Sequence, residues 1–398
     1  MSSKGALSGL KVIDLSRVLG GPFCTQMLGD HGADVIKIEP PQGDETRGWG
    51  PPYNEEGLAA YFSGTNRNKR SIALDIRSDE GKKILLKLLE DADVLIENFK
   101  TGSLEKWGLG YEEVLSKKFP RLIHCRVTGF GADGPFGGYP GYDAVIQAWA
   151  GLISVNGSPE SGQVRIGIPL VDLGTGMNAT IGILMAVNER HVSGKGQSVE
   201  ASLYDTGIQL QHPHAPNYLM SGNAPKLTGN SHPNIAPYDL YPTRTTPVFL
   251  GVGNHGQFTK LCAALGEPEL ANDPRFADNS LRVANRLDLN EALLKLFADT
   301  DGVEVATRLL AAGVPAGAAM SVPEALNHPH TRHRNMVVEM EGYSGTGVAV
   351  KLSRTPGSAK TAPPAFGAQG RQILKEHGFD DGEIESFIRD KVMWEQPK

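Results

Sequence analysis

Runs of β-branched and other apolar residues alternate with helical patterns through the first half of the chain. The apolar runs predict strands at residues 12–15, 35–38, 94–97 and 122–127. Stretches between them, such as 81–90, place apolar residues at helical spacing. Because short strands that alternate with helices are typical of βαβ units, this pattern predicts an open parallel sheet.

A longer apolar stretch predicts a helix over 174–191, which starts after Asp172 and ends near Gly194. A strand at 198–203 follows. Further along, a hairpin at 238–252 precedes several helical patterns, which gives this part of the chain an α+β character.

The pattern divides the chain into a large domain that a smaller domain interrupts. Irregular segments rich in Pro, Gly, Asn and His connect the two. The bounds we expect are a large domain at 1–216, a linker at 217–234, a small domain at 235–322, a linker at 323–334, and a C-terminal segment at 335–398 that returns to the large domain.

The composition agrees with two globular domains, since 398 residues exceed the usual size of a single hydrophobic core. Apolar residues make up 40% and charged residues 21%, and the Gly and Pro residues form no low-complexity block. The net charge is −6 without a run of Lys or Arg, so we expect no binding to nucleic acid.

The sequence favours a cytoplasmic location. Residues 1–9 lack the basic and apolar regions of a signal peptide, and we expect no stretch that approaches the ~18 apolar residues of a membrane span. Cys24, Cys125 and Cys262 lie far apart in apolar segments, which suits reduced core thiols. No His or Cys spacing fits a zinc pattern, so we expect no metal.

The first candidate chemistry follows the first predicted strand. Residues 14–22 read Asp-Leu-Ser-Arg-Val-Leu-Gly-Gly-Pro, and the spacing of these glycines does not fit a dinucleotide-binding turn. The sequence therefore predicts a strand-to-helix crevice for another ligand, with Arg17 available for a phosphate. A surface arginine beside a tight turn is the alternative.

The chain resembles the class III CoA-transferases, the CaiB/BaiF or formyl-CoA transferase family. Several blocks carry the resemblance in the family's order, among them Gly-Ala-Asp-Val-Ile-Lys-Ile-Glu at 32–39 and Asp-Val-Leu-Ile-Glu-Asn-Phe at 93–99. The others lie at 7–28, 43–47, 66–75 and 194–197. The resemblance implies an α/β fold with a large Rossmann-like open parallel-sheet domain, a smaller α+β domain, and a homodimer of interlocked rings. In that dimer the active site lies between the large domain of one subunit and the small domain of the other.

The resemblance places the covalent nucleophile at Asp172, within Ile-Pro-Leu-Val-Asp-Leu-Gly-Thr-Gly-Met at 168–177. Moving CoA between two acids without ATP requires that the energy of the thioester be kept. A carboxylate can keep it as a mixed anhydride and then as an aspartyl-CoA thioester. A helix N-terminus should hold such a carboxylate as the anion. The alternative is that Asp172 only caps the helix.

The resemblance also implies contacts with coenzyme A. The formyl-CoA transferases have His and Gln at the positions of Arg17 and Leu19, an arginine at Lys106, and a lysine at Pro140. The loss of that glutamine argues against oxalate as the acceptor. The implied cofactor positions are Arg17, Val18, Leu19, Leu74, Arg77, Asn98, Phe99, Lys106, Tyr142 and Asp143.

Residues 229–238 and 251–258 resemble the branch that contains the succinyl-CoA:glutarate transferases. We therefore expect succinyl-CoA as the donor and a C4–C6 dicarboxylate, such as itaconate, mesaconate, malate or glutarate, as the acceptor. A buried distal carboxylate needs a partner. The candidates are Arg47, His232, Gly253, Asn254 and His255, although the histidines also suit structural roles in loops.

Three other activities stay open. An α-methylacyl-CoA racemase would share the fold, but that branch has His-Asp where this chain has Tyr142-Asp143, and a tyrosine is a poor base near neutral pH. A formyl-CoA:oxalate transferase would use the same nucleophile. A non-catalytic protein would bind CoA and leave Asp172 unreactive.

Overall fold

The computed structural model describes residues 5–396 and divides the chain into two compact units. The first unit comprises Met1–Leu152, Ile166–Ala215 and His330–Lys398, and the second comprises Ile153–Arg165 and Pro216–Pro329. Residues 153–165 thus belong to the second unit, whereas the sequence analysis placed them in the large domain. The expectation about a signal peptide at 1–9 lies partly outside the described residues.

The described residues contain fourteen strands and eighteen α-helices, with 3₁₀ turns at Glu45–Gly48, Pro268–Asn272 and Pro274–Phe276 and a π turn at Tyr111–Leu115. The strands are β1 Lys11–Asp14, β2 Asp34–Glu39, β3 Lys69–Leu74, β4 Val94–Glu97, β5 Ile123–Thr128, β6 Gly157–Ser158, β7 Gly162–Gln163, β8 Ser198–Ser202, β9 Tyr238–Tyr241, β10 Val248–Gly251, β11 Ala316–Ala318, β12 Val337–Met340, β13 Tyr343–Thr346 and β14 Met393–Trp394. The helices are α1 Gly20–Asp30, α2 Ala60–Ser63, α3 Asp79–Leu88, α4 Ser103–Lys106, α5 Ser116–Lys118, α6 Asp143–Trp149, α7 Leu152–Val155, α8 Leu170–Ser193, α9 Leu203–Gln209, α10 His214–Ser221, α11 His255–Ala264, α12 Asn279–Ala284, α13 Arg286–Phe297, α14 Gly302–Ala311, α15 Val322–Asn327, α16 Pro329–His333, α17 Gly370–Glu376 and α18 Asp381–Arg389.

The first unit is built on a seven-stranded sheet in the order β14-β3-β2-β1-β4-β5-β8. Its strands are parallel except for β14, which pairs antiparallel with β3. The strand order reverses between β1 and β4. In open parallel sheets such a reversal leaves a crevice at the carboxyl ends of the two strands, where ligands bind.

Helices cover both faces of this sheet because side chains alternate along each strand. Ile13 and Leu95 point into a core that is shared with α3, α17 and α18. Val12 and Val94 point the other way, into a core shared with α1, α6 and α8. The predicted α/β class and parallel sheet are confirmed.

The sequence analysis missed β3, which begins with Lys69-Arg70-Ser71 and therefore does not show an apolar pattern. Lys69 and Ser71 are nonetheless buried. The Lys69 ammonium lies 3.1 Å from a carboxylate oxygen of Asp14, and the Ser71 hydroxyl donates to Glu39 at 2.8 Å. Polar side chains can be buried in a central strand when each has a partner, and hydropathy alone does not reveal such partners.

The second unit contains a three-stranded antiparallel sheet in the order β11-β10-β9. The predicted hairpin corresponds to β9 and β10, which pair Tyr238 with Gly251 and Tyr241 with Val248. Helices α11, α13 and α14 close the core with side chains such as Phe258 and Phe297. The unit is α+β, as expected.

Helix α8 starts earlier than predicted, so Asp172 is the third residue of the helix and does not precede it. The helix ends at Gly194, whose positive φ of 77° makes it the expected C-terminal residue. A β-carbon on Gly176 would lie 2.6 Å from the Gly20 carbonyl oxygen, so α8 and α1 are in backbone contact.

By length and composition α8 could also cross a membrane, contrary to our expectation that no such stretch exists.

Candidate active site

The turn at residues 15–19 follows β1 and lies at the reversal of strand order. Side chains bind several of its backbone groups. Asn98, which follows β4, accepts from the Arg17 N–H at 2.9 Å and donates to the Arg17 carbonyl at 2.7 Å. Asp14 accepts from the Ser16 N–H at 2.9 Å. These bonds join the ends of β1 and β4 across the crevice.

Val18 has a φ of +71°, in the left-handed region that β-branched residues avoid. Residues in this region cost roughly 1–3 kcal/mol each and persist only where the surroundings impose them. The Val18 N–H points toward Asp44 Oδ1 at 3.5 Å. Val18 thus combines a strained backbone with a position in the turn at the reversal of strand order.

Two cavities lie at the carboxyl end of the sheet and share the side chains of Arg17 and Phe99. The first has a volume of about 230 Å³ and is lined by Leu15, Arg17, Ile38, Glu39, Pro40, Gln42, Leu74, Asp75, Ile76, Arg77, Phe99 and Trp107. The second has a volume of about 300 Å³. It extends past Val18 and Asn98 to Val127 and Tyr142. A long ligand could occupy both.

Most of the cofactor positions implied by the resemblance line one of these cavities. The buried Nε of Arg17 has no hydrogen-bond partner among the described residues, whereas Arg77 binds Asp75 at 2.8 Å. The remaining three line neither cavity: Lys106 is exposed on α4, Leu19 is buried beside α1, and Asp143 is buried at the start of α6.

Trp107 was missed by the sequence analysis. Its ring packs edge-on against Phe99, with the ring centroids 5.2 Å apart. This aromatic pair forms part of the first cavity and suits a flat ring. The only signal in the sequence is an aromatic residue next to Lys106, one of the implied cofactor positions.

The start of α8 is held by Asp143. One oxygen of this carboxylate accepts from the Val171 N–H at 2.8 Å and from the Asp172 N–H at 3.1 Å, and the Gln147 amide donates to the other. Asp143 is therefore the residue that caps α8. The Asp172 carboxylate accepts no hydrogen bond from the described residues.

Burial, and then the charge of Asp143, raise the pKa of the Asp172 carboxyl to about 7. We had expected the helix terminus to hold Asp172 as the anion. The structure differs because Asp143 takes the amides that would have done so. The result is a carboxyl that ionises near neutral pH.

The Asp172 carboxylate lies next to the second cavity. A β-carbon placed on Gly20 would be 3.6 Å from Asp172 Oδ1 and 3.7 Å from Val127, and Val127 lines that cavity. Gly20 thus leaves space beside the carboxylate that any other residue would fill. Asp172 itself is not among the residues that line the cavity.

Tyr61, on α2, is a second residue that the sequence analysis missed. Burial, and then the charges of Asp172, Asp143 and Asp44, raise the pKa of its phenol to about 12. The phenol therefore stays protonated near Asp172. Its ring packs edge-on against Trp49, with the centroids 5.0 Å apart. No local motif marks these two residues in the sequence.

Arg47 was a candidate for binding the acceptor, but its guanidinium is engaged elsewhere. It binds both oxygens of Glu39, at 2.8 and 2.7 Å, and donates to the Pro364 carbonyl at 3.1 Å. It also stacks over the Phe62 ring at 3.8 Å. These contacts hold the guanidinium of Arg47, whose side chain is 14% exposed, against Glu39 and Phe62.

The other acceptor candidates lie in the second unit. His232 Nδ1 accepts from the Asn234 N–H at 3.1 Å, which leaves the ring proton on Nε2. Asn254 caps α11 by accepting from the Gln257 N–H at 2.9 Å, and Gln257 in turn accepts from the Gly253 N–H. His255 follows as the first residue of α11 and is exposed.

No group of three or more His, Cys, Asp or Glu side chains that could hold a metal ion occurs within residues 5–396. The three cysteines are buried and unpaired.

Comparisons with known proteins identify the family of the chain. CoA-transferase family III matches residues 7–370, and the chain belongs to this family. A relative from Agrobacterium fabrum, named succinate–glutarate CoA-transferase, is 39% identical over 384 residues, which covers 94% of this chain and 96% of the relative. A CaiB/BaiF family protein from Brucella suis has a solved structure with a TM-score of 0.84 and 41% identity, covering 94% of this chain and all of that one.

A relative from Acetobacter aceti, named acetyl-CoA:oxalate CoA-transferase, is also 39% identical and covers 94% of this chain and 96% of its own length. Overall identity therefore does not distinguish a glutarate enzyme from an oxalate enzyme. The protein is a family III CoA-transferase, and the choice of acceptor must be decided by individual side chains.

The first prediction concerns pH. Below a pKa of about 7 the Asp172 carboxyl is protonated and cannot act as a nucleophile. We therefore expect kcat/KM for transfer to fall about tenfold per pH unit on the acid side of that value. Asp143→Asn removes the neighbouring charge, so the acid limb should move to lower pH. An unchanged limb in this variant would show that another group titrates.

Proposed function

We propose that the chain transfers CoA from succinyl-CoA to a C4–C6 dicarboxylic acid, with Asp172 as the covalent nucleophile. The observation that carries the proposal is an unpaired carboxylate beside a cavity. The buried acids Asp14, Glu39 and Asp44 each bind a cation, and Asp143 is held by backbone amides. Asp172 has neither kind of partner.

The two cavities account for the binding of CoA. The first, with the rings of Phe99 and Trp107, would hold the adenine, and the second would hold the pantetheine arm that leads to Asp172. Arg17 lies where they meet, and its unpartnered Nε suits the diphosphate. Arg77 and Lys106 would contribute positive charge at the exposed end.

The reaction proceeds in four displacements. The Asp172 carboxylate attacks the carbonyl carbon of the donor thioester, the C–S bond breaks, and a mixed anhydride and the CoA thiolate form. The thiolate then attacks the Asp172 carbonyl, which releases the donor acid and leaves an aspartyl-CoA thioester. The acceptor carboxylate displaces the thiolate to form a second anhydride. The thiolate attacks the acceptor carbonyl, which yields the new acyl-CoA and free Asp172.

The side chains around Asp172 suit this chemistry better than racemisation. A racemase needs a base close to the α-carbon with a pKa near neutrality. Tyr142 occupies that position and its side chain is more than half exposed. We propose that Tyr61, a phenol whose pKa is raised by burial and by the charge of Asp172, donates a hydrogen bond to the oxygen that becomes negative when Asp172 is attacked.

The choice of acceptor is supported by the relatives and by the second unit. Relatives are named for glutarate, citramalate and mesaconate transfer, at 35–39% identity. His255 is exposed at the start of α11, and a helix N-terminus favours a bound carboxylate. We propose that His255 binds the distal carboxylate and that His232 assists. Leu19 lines neither cavity, so its part in acceptor choice is indirect.

We further propose that the chain works as an interlocked homodimer in the cytoplasm. Helix α8 exposes Met177, Ile181, Met185 and Val192, which are between 46% and 88% exposed. Large exposed apolar side chains on one helix suit a protein interface.

The second prediction follows from the proposed dimer. Sedimentation equilibrium should give twice the chain mass of 42.6 kDa. Met185→Glu, at a 67% exposed position, should weaken the association because it places a charge in the apolar interface. A wild-type protein that sediments as a monomer at micromolar concentration would contradict the proposal.

The third prediction concerns the nucleophile. Asp172→Ala should lower kcat for transfer by at least about 10³-fold, because no other carboxylate can form the anhydride. The affinity for CoA should change little. With the unsubstituted enzyme, hydroxylamine added during turnover should convert Asp172 to the hydroxamate, which peptide mass spectrometry detects.

Asp205→Asn is the matched control, since Asp205 is also the third residue of a helix but is exposed. This variant should retain full activity. Activity of Asp172→Ala within about tenfold of the wild type would exclude Asp172 as the nucleophile.

The fourth prediction concerns the acceptor. With succinyl-CoA as donor, mass spectrometry of the CoA products from a panel of acids should show transfer to glutarate, itaconate, mesaconate or malate in preference to oxalate. His255→Ala should raise the KM of the dicarboxylate about tenfold or more, because the distal carboxylate loses a charge-assisted hydrogen bond. The KM of succinyl-CoA should stay nearly constant. Equal turnover of oxalate and the longer acids would refute the assignment.

A further inference from the structure

Four charged side chains that the proposed chemistry does not use lie buried beneath the turn at residues 15–19. Lys37, on β2, is 3.0 Å from a carboxylate oxygen of Asp44, and Lys69, on β3, is 3.1 Å from one of Asp14. All four side chains have no exposed surface. Buried ion pairs add little net stability, because desolvation offsets the attraction. Their presence therefore calls for another explanation.

The Lys37–Asp44 pair contacts the backbone of the turn directly. Lys37 Nζ donates to the Ser16 carbonyl at 2.8 Å, while Asp44 Oδ1 faces the Val18 N–H at 3.5 Å. Asp44 is itself fixed, since its N–H donates to Glu39 at 2.9 Å. The pair thus contacts the turn on both sides of Arg17, with Val18 in its left-handed conformation.

The hydrogen bonds of the Lys37 ammonium in the described structure go to the Ser16 carbonyl and to Asp44, and the Phe62 ring lies 5.9 Å away. Asp14 and Glu39 attract the ammonium electrostatically but bind other cations directly. Neither Lys37 nor Asp44 lines the two cavities. The pair can therefore affect CoA binding only through the turn, because Arg17 and Val18 of the turn line the cavities.

We infer that the buried pair Lys37–Asp44 is a positioning device that holds Val18 in the left-handed conformation and so shapes the wall between the two cavities for CoA. The inference rests on the proposed CoA site and adds two residues that act on it without touching the ligand. Holding a valine at positive φ opposes its intrinsic preference. The buried charged pair supplies the restraint on Val18 through its contacts with the Ser16 carbonyl and the Val18 N–H.

The test is a double substitution, Lys37→Met with Asp44→Asn, which removes both charges together and leaves no unpaired charge in the core. Asparagine can still accept from the Thr46 N–H, which Asp44 Oδ1 now binds at 3.1 Å. Isothermal titration with CoA should show a dissociation constant raised about tenfold or more, because the turn loses its restraint. A loss of stability alone would not weaken binding to the folded protein.

A second buried pair provides the matched control. Arg67 and Asp30 are 2.6 Å apart, their side chains are 3% and 5% exposed, and they contact no residue of the turn. Arg67→Met with Asp30→Asn should leave the dissociation constant of CoA within about twofold of the wild type. If this control weakens CoA binding as much as the Lys37 and Asp44 variant, the inference is overturned.

Val18→Gly tests the restraint itself, since glycine adopts positive φ without penalty. We expect the Lys37 and Asp44 substitutions to change the dissociation constant of CoA by less than about twofold when they are added to Val18→Gly. The same substitutions should change it about tenfold when Val18 is present. Equal effects in both backgrounds would overturn the inference. If the double variant does not fold, Lys37→Gln with Asp44→Asn, which also leaves no unpaired charge, replaces it, with Arg67→Gln and Asp30→Asn as the control, and decides by the same comparison.

Failure of the proposed CoA site would look different. In that case Arg17→Ala and Phe99→Ala, which alter the cavities directly, would leave CoA binding unchanged in an otherwise unsubstituted chain. If Arg17→Ala and Phe99→Ala weaken CoA binding while the Lys37 and Asp44 variant binds CoA normally, the proposed CoA site stands. The positioning role of the Lys37–Asp44 pair is then rejected.

Discussion

The ionisation of Asp172, the proposed nucleophile, depends on the hydrogen bonds that Asp143 accepts from the first turn of α8. By binding the Val171 and Asp172 N–H groups, Asp143 takes the stabilisation that a helix terminus would otherwise give to Asp172. It also places a negative charge near that carboxyl. Burial and this charge leave Asp172 with a pKa of about 7, so it is only partly ionised near neutral pH, and its anion is poorly solvated and basic for a carboxylate. Such a group is a better nucleophile than an exposed aspartate.

The sheet determines where the proposed CoA site lies. Its strand order reverses between β1 and β4, and Asn98 joins the two strand ends by bonding both backbone groups of Arg17. The cavities on either side of Arg17 follow from this geometry. The fold is that of a dinucleotide-binding domain at this point, but a turn with a strained Val18 replaces the glycine-rich turn. A ligand with a nucleotide and a long arm fits this arrangement.

Periodicity in the sequence predicted much of the fold, and the resemblance supplied the candidate site residues. The parallel strands, the hairpin at β9 and β10, and the end of α8 at Gly194 follow from local patterns. Strand β3 did not, because its buried Lys69 depends on Asp14, which is distant in sequence. The capping role of Asp143 and the burial of Arg47 against Glu39 and Phe62 are likewise tertiary contacts. The resemblance named candidate residues, and only the contacts showed what each of them binds within the chain.

The central claim is that Asp172 carries the acyl group and then CoA, and an oxygen-isotope experiment tests it most directly. In the proposed cycle one oxygen of the acceptor carboxylate becomes the bridging oxygen of the second anhydride and stays on Asp172. With succinyl-CoA and an acceptor fully labelled with ¹⁸O, the peptide that contains Asp172 should therefore gain about 2 Da per incorporated oxygen. Peptides that contain Asp143 or Asp205 should gain nothing. Label that reaches the released succinate without ever appearing on Asp172 would contradict covalent catalysis by this residue.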